Sequence, residues 1–122
     1  MKSKKPIFKI IDSGIYPYQI LFTVQSTETE VVKYLKKRFI LDDEEISYID
    51  FNNKGGRAVQ FKNGAMLLWV KDKYAVPVIG HEIFHITEFV MSKVDIPLNN
   101  DTSEAYAYLI EHLWKQILKA IQ

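Results

Sequence analysis

Cysteine is absent from the 122 residues of this chain. Its absence removes disulfide frameworks, thiol catalysis, iron–sulfur clusters and every cysteine-bearing zinc finger. A transition metal bound through side chains has only His, Asp and Glu to hold it, and there are three histidines. An excess of either charge is missing too, since 16 Lys and Arg stand against 15 Asp and Glu. The resulting net charge of +1 gives no electrostatic footprint for nucleic acid, which needs a basic stripe. No apolar run approaches the roughly 18 residues of a membrane-spanning helix. The basic start, Met1-Lys2-Ser3-Lys4-Lys5, is not followed by the apolar stretch of a signal peptide, because Asp12, Ser13, Gly14, Pro17 and Gln19 interrupt it. The expectation is a cytoplasmic protein with no nucleic-acid and no membrane partner.

What is present is ordinary globular composition, 48% hydrophobic and 25% charged, in a length that suits one domain over residues 1–122. Charge is distributed in blocks. The run Asp42-Asp43-Glu44-Glu45 is acidic, and residues 74–122 carry six carboxylates against three lysines, a setting hospitable to a cation. Ile7–Ile11 and Tyr18–Gln25 read as strands, separated by the turn signal Asp12-Ser13-Gly14. Ser26–Glu30 opens an amphipathic helix with Val31, Tyr34, Leu35 and Phe39 on one face and Lys33, Lys36 and Lys37 toward water. A three-stranded meander is expected next: Ile46–Phe51, a turn over Asn52–Gly56, Arg57–Lys62, the hairpin dipeptide Asn63-Gly64, and Ala65–Val70. The last of these is nearly all apolar and reads as buried on both faces. A helix from about Tyr74 to Val94, with Pro77 in its first turn, and a second from Asp101 or Thr102 nearly to the C-terminus complete the chain. The fold class is therefore α+β: a small, mostly antiparallel sheet with a backing helix, then two long helices.

The chemistry-bearing feature is His81-Glu82-Ile83-Phe84-His85. Apolar periodicity at Ile79, Ile83, Ile86, Val90 and Val94 places it on a helix without reference to the histidines. Residues i and i+4 lie about 40° apart around a helix and one turn apart along it, so both imidazoles point to one place. Two neutral imidazoles so placed can hold one zinc ion, with Glu82 positioned to take a proton from a coordinated water. A catalytic zinc also needs a third protein ligand. Glu104 is the candidate, with 18 residues between it and His85, at the start of the last helix. Its alternative role is the helix cap of Asp101-x-x-Glu104. His112, two turns further on, reads as a surface or core histidine.

HEIFH, followed after 18 residues by Glu104 in Ser103-Glu104-Ala105-Tyr106-Ala107-Tyr108, resembles the gluzincin branch of the zincin metallopeptidases, and within it small, minimal zincins including predicted peptidases of phages and mobile elements. The resemblance spans about residues 28–115, with only the motif and the Glu helix specific. It implies a minimal zincin-like fold, one Zn2+ held by His81, His85 and Glu104, Glu82 as general base, and a peptide or protein substrate. It also implies a strand at the cleft edge that aligns the substrate main chain, either Arg57–Lys62 or Ala65–Val70. Full-size members carry a second subdomain with a Tyr or His that stabilises the oxyanion; here that donor would have to be Tyr108, Tyr106 or His112. Glu111 is the candidate for steadying a histidine ligand, and the basic arm Lys2–Lys5 for an inhibitory occupant of the cleft.

Three functions compete at this level. The first is a zinc-dependent peptidase, endo- or amino-. The second is a catalytically inactive relative that keeps the zinc site and binds or regulates a partner. The third is an α+β interaction module that uses exposed aromatics from its seven Tyr, seven Phe and two Trp.

Overall fold

A computed structural model describes residues 5–52 and 55–122. Among them run β1 (Ile7–Ser13), β2 (Tyr16–Val24), α1 (Glu28–Phe39), α2 (Asp43–Ser47), β3 (Gly56–Gln60), β4 (Met66–Val70), α3 (Val76–Lys93) and α4 (Ser103–Ile121). Lys2–Lys4 of the basic arm, and Asn53 and Lys54 of the expected turn, lie outside the described residues. The α+β class stands. No helix is long and apolar enough to cross a membrane among the described residues.

Local chemistry explains most boundaries. Asp12 accepts from the Gly14 amide, and Gly14 takes φ +73°, which closes the β1–β2 hairpin. Thr27 and Glu30 form a reciprocal capping box at the start of α1. Ile46–Phe51 is not a strand. Asp42 caps a short helix by accepting from the Glu45 amide, and three acidic residues in the first turn suit its dipole. Ile46 and Ile49, three apart, are both buried, whereas Tyr48 is exposed. The apolar spacing in this segment is that of a helical turn, and the competing two-residue alternation has no sheet position to fill.

The sheet has four strands in the order β1-β2-β4-β3. It is mixed: β1–β2 and β3–β4 are antiparallel hairpins, and β2–β4 is parallel, with Ile20 opposite Met66 and Val24 opposite Val70. The expected meander therefore reduces to its second hairpin, and the parallel pair is what departs from an antiparallel sheet. A parallel pair requires a crossover, and α1 and α2 lie in it. The central strands are consequently covered on both faces, and every residue of β4 is buried, as its apolar run predicts. On one face Leu21, Leu67 and Trp69 pack on Val31 and Leu35 of α1 together with Ile46 and Ile49. On the other, Ile20, Phe22, Met66 and Leu68 meet Ile79, Ile83, Ile86 and Val90 of α3, and Leu109, Leu113 and Ile117 of α4.

A polar clasp ties α4 to the β1–β2 hairpin. His112 Nε2 lies 2.7 Å from Asp12 Oδ1, while the Gln116 amide accepts from Asp12 N at 3.0 Å and donates to Asp12 O at 2.9 Å. The His112 hydrogen bond, and after it the Gly14 amide, hold the Asp12 carboxyl below its ordinary value of 3.8. A carboxyl depressed by folding stabilises the fold above its unfolded pKa and loses that contribution as pH falls through the folded value. Asp12→Asn is accordingly expected to lower Tm by about 2–4 °C at neutral pH. The gap to wild type should shrink in melts taken below about pH 4; a gap constant from pH 7 to 3 would exclude this linkage.

Candidate metal centre

Helix α3 begins without a side-chain cap, with Pro77 in its first turn, and its rotation is set by burial. Ile79, Ile83, Ile86 and Val90 are wholly buried against the sheet. At 100° per residue these four cluster within about 60° of arc, and His81 and His85 lie about 150° round the helix from them. Glu82 falls between the two sets. The exposed histidine pair and the buried glutamate thus follow from one helical phase.

His81 Nε2 and His85 Nε2 approach to 3.1 Å. Metal–nitrogen bonds of about 2.0–2.1 Å across the 3.1 Å separation subtend roughly 100° at the metal, close to tetrahedral. His81, Glu82 and His85 offer ligand atoms all within 4.8 Å of one another. The donor set therefore fits a borderline metal such as zinc, with two imidazoles and an adjoining carboxylate.

Two glutamates frame this pair differently. Glu82 is 7% exposed, and no basic side chain pairs with it among the described residues. The other buried polar side chains, Ser13, Thr23, Ser26 and Thr87, are all hydrogen-bonded. Glu82 instead lines a cleft of about 610 Å³ together with Gly56, Ala58, Val78, His81, His85 and Phe89. Glu88, unremarked in the sequence reading, accepts from His85 Nδ1 at 3.1 Å. In the neutral tautomer that donates from Nδ1 to Glu88, the His85 lone pair is on Nε2, the nitrogen that faces His81. Its signal was available: Glu88 is three residues past His85 and seven past His81, on the same helical face.

The cleft wall is β3, the edge strand. Lys71 N donates to Gly55 O at 2.8 Å and Phe61 N to Ala65 O at 2.9 Å. In an antiparallel ladder this turns the main-chain groups of Arg57 and Val59 toward β4, and those of Gly56, Ala58 and Gln60 toward the free edge. Of the two candidate substrate-aligning strands, Ala65–Val70 is interior and only Arg57–Lys62 contributes an edge. A Cβ on Gly56 would come within 2.9 Å of Val78 Cγ1, 3.0 Å of Trp69 O and 3.1 Å of Glu82 Cγ. Gly56 therefore lets the strand lie directly against Glu82. Side-chain alternation then sends Arg57 to the opposite face.

The remaining candidates lie elsewhere. Glu104 is exposed in the first turn of α4, outside the group formed by His81, Glu82 and His85. Nor does it take its alternative role as a cap, because α4 starts after Thr102 without a side-chain cap bond. Tyr106 is buried and its hydroxyl donates to Ile96 O at 2.7 Å. Tyr108 is 66% exposed, and His112 belongs to the Asp12 clasp. None of these three lines the cleft. Glu111 pairs with Lys115 at 3.2 Å and not with a histidine of α3.

No protein family matches the chain, and no curated protein or solved structure is detectably similar to it.

Two substitutions separate the roles of strand and helix. Glu88→Ala is expected to weaken zinc binding about 10–100-fold in competition with a chromogenic chelator. Gly56→Ala should leave zinc binding within about threefold, because it touches neither imidazole, while destabilising the fold by about 1–3 kcal/mol in urea melts through the clash with Trp69 O.

Proposed function

We propose that this chain is a zinc-dependent metallopeptidase acting on peptide or protein substrates. The observation that carries the reading is the convergence of His81 Nε2 and His85 Nε2 at 3.1 Å beside Glu82, which is 7% exposed, lines the same cleft and forms no ion pair among the described residues. A structural site made of two imidazoles has no use for a carboxylate that opens onto the same cleft.

His81 and His85 would hold the ion through Nε2, and Glu104, which stands outside their group in this structure, would have to be brought in from α4 as the third protein ligand. A zinc ion bound there supplies Lewis acidity toward a peptide carbonyl and brings the pKa of a water molecule to about 7. Glu88 keeps the Nδ1 proton of His85 in place, so the ring presents its lone pair and not an N–H. The free edge of β3 receives an extended main chain through the amide and carbonyl groups of Ala58 and Gln60. Glu82 then takes a proton at its carboxylate and delivers it to the nitrogen of the departing amine. The cleft is open and not an enclosed cavity, which suits a polypeptide better than a small molecule.

A second reading has its own support. Since Tyr106, Tyr108 and His112 all stand outside the cleft, a zinc-holding protein that binds peptides without cutting them also agrees with the geometry. Hydrolysis distinguishes the two.

Glu82→Gln should retain one zinc per chain by elemental analysis and lower peptide hydrolysis about 10²–10⁴-fold. Undiminished hydrolysis by this variant excludes the mechanism, and zinc-loaded wild type without hydrolysis favours the binding reading. Glu104→Ala should weaken zinc binding at least about tenfold with the fold intact by circular dichroism. Unchanged affinity would remove Glu104 from the ligand set.

A further inference from the structure

Strand β3 leaves one side of the sheet unpaired, and its five residues carry no proline, no lysine and no register shift against β4. Edge strands are usually blunted by such features. The opposite edge, β1, has Lys9 and a shift between Asp12 and Ser13. The main-chain groups of Gly56, Ala58 and Gln60 face outward along the β3 edge, evenly about Ala58. We propose that this edge pairs antiparallel with the same edge of a second copy of the chain, about a two-fold axis beside Ala58. The proposal goes beyond the peptidase reading and does not rest on it.

The register of the strand makes it complementary to itself. In an antiparallel ladder, opposite residues whose main-chain groups face each other exchange two hydrogen bonds. With Ala58 opposite the partner's Ala58, Gly56 falls opposite the partner's Gln60, and Gln60 opposite the partner's Gly56. Every outward amide and carbonyl of the three residues is then satisfied by an equivalent group across the axis.

The side chains favour the same register through charge. Arg57 and Val59 alternate onto the sheet face that carries α1 and α2. Arg57 Nε is buried without a hydrogen-bond partner, and Arg57 forms no ion pair among the described residues. Beside Val59 on that face, a groove of about 240 Å³ is walled by Asp42, Glu44, Glu45 and Tyr48, with Lys62 as its one basic side chain. Asp42 and Glu45 accept the amides of Glu45 and Lys62, and Glu44 forms no ion pair among the described residues. Pairing about Ala58 sets Arg57 directly opposite the partner's Val59, on the same face, with about 4.5–5.5 Å between Cβ atoms. The unpaired guanidinium thus arrives at the mouth of the partner's acidic groove, and the axis repeats the contact in the other direction. The pairing covers the main-chain groups of Ala58 and Gln60, so it and the binding of a peptide at this edge exclude each other.

The test is sedimentation velocity of the full chain in zinc-free buffer containing a chelator, over about 5–500 µM protein. The weight-average mass should climb from 14.3 kDa toward twice that value, with a Kd of about 10–100 µM. Ala58→Pro removes an outward amide and leaves the β4 ladder intact, so the chain should stay monomeric with its circular dichroism unchanged. Arg57→Glu and Glu44→Arg should each weaken self-association at least about tenfold. Mixed in equal amounts, the two variants should associate within about threefold of wild type, because a mixed pair sets opposite charges against each other on both sides of the axis. A monomer at every concentration, a dimer indifferent to Ala58→Pro, or a mixture no better than its components overturns the proposal. A chain that stays monomeric while an extended peptide binds at β3 assigns the edge to substrate and overturns it too. Because zinc is withheld and hydrolysis is not measured, failure here leaves the peptidase reading where it stands.

Discussion

Burial of the Ile79–Ile83–Ile86–Val90 stripe fixes the rotation of α3, and the rest of the site depends on that rotation. These four residues cover the face of the sheet formed by Ile20, Phe22, Met66 and Leu68. At roughly 1.5–3 kcal/mol for each large apolar side chain removed from water, no alternative rotation of the helix competes. With the rotation settled, His81 and His85 stand above the sheet edge and Glu82 is turned inward toward β3. Glu88 then falls beside His85. The convergence of the two imidazoles is a by-product of core packing and needs no separate scaffold.

The second constraint is the close approach of β3 to α3. Only a glycine at position 56 allows the strand to lie against Glu82 Cγ with Trp69 O directly behind it. This contact buries Glu82 and gives the cleft one rigid wall with unsatisfied main-chain groups on its free edge. The wall is provided by an edge strand of five residues and not by an added subdomain. One small sheet thereby supplies both the core and a surface onto which a peptide can pair.

Residues 46–51 and the region around Glu88 show what could be read from the chain and why. The helical phase of α3 was legible because its apolar spacing is long and regular, and with it the HEIFH group. The doubly buried strand β4 was legible from an unbroken apolar run. Ile46–Phe51 misled because six residues sample too few periods to separate a two-residue alternation from a helical turn, and the Asp42 cap tips the balance locally. Glu88 was visible at helical spacing, yet a carboxylate on a helix surface has many possible partners, and only the fold shows that it meets His85. Tyr106, Tyr108 and His112 were plausible oxyanion donors because proximity in sequence to Glu104 says nothing about which way α4 faces. Packing decided that: Leu109, Leu113 and Ile117 turn inward, Tyr106 bonds to Ile96 O, and His112 joins the Asp12 clasp.

The sequence by itself determined the donor chemistry. A chain without cysteine can offer only imidazole and carboxylate to a borderline metal, and two histidines one helical turn apart must converge on one point. It also determined that the motif lies on a helix and that β4 is buried, because both follow from short-range periodicity. Only the tertiary structure decided that β2 and β4 run parallel, that β3 is the edge, and that Gly56 brings this edge against Glu82. These are contacts between residues far apart in the chain, selected by how whole faces bury one another, and no local pattern encodes them.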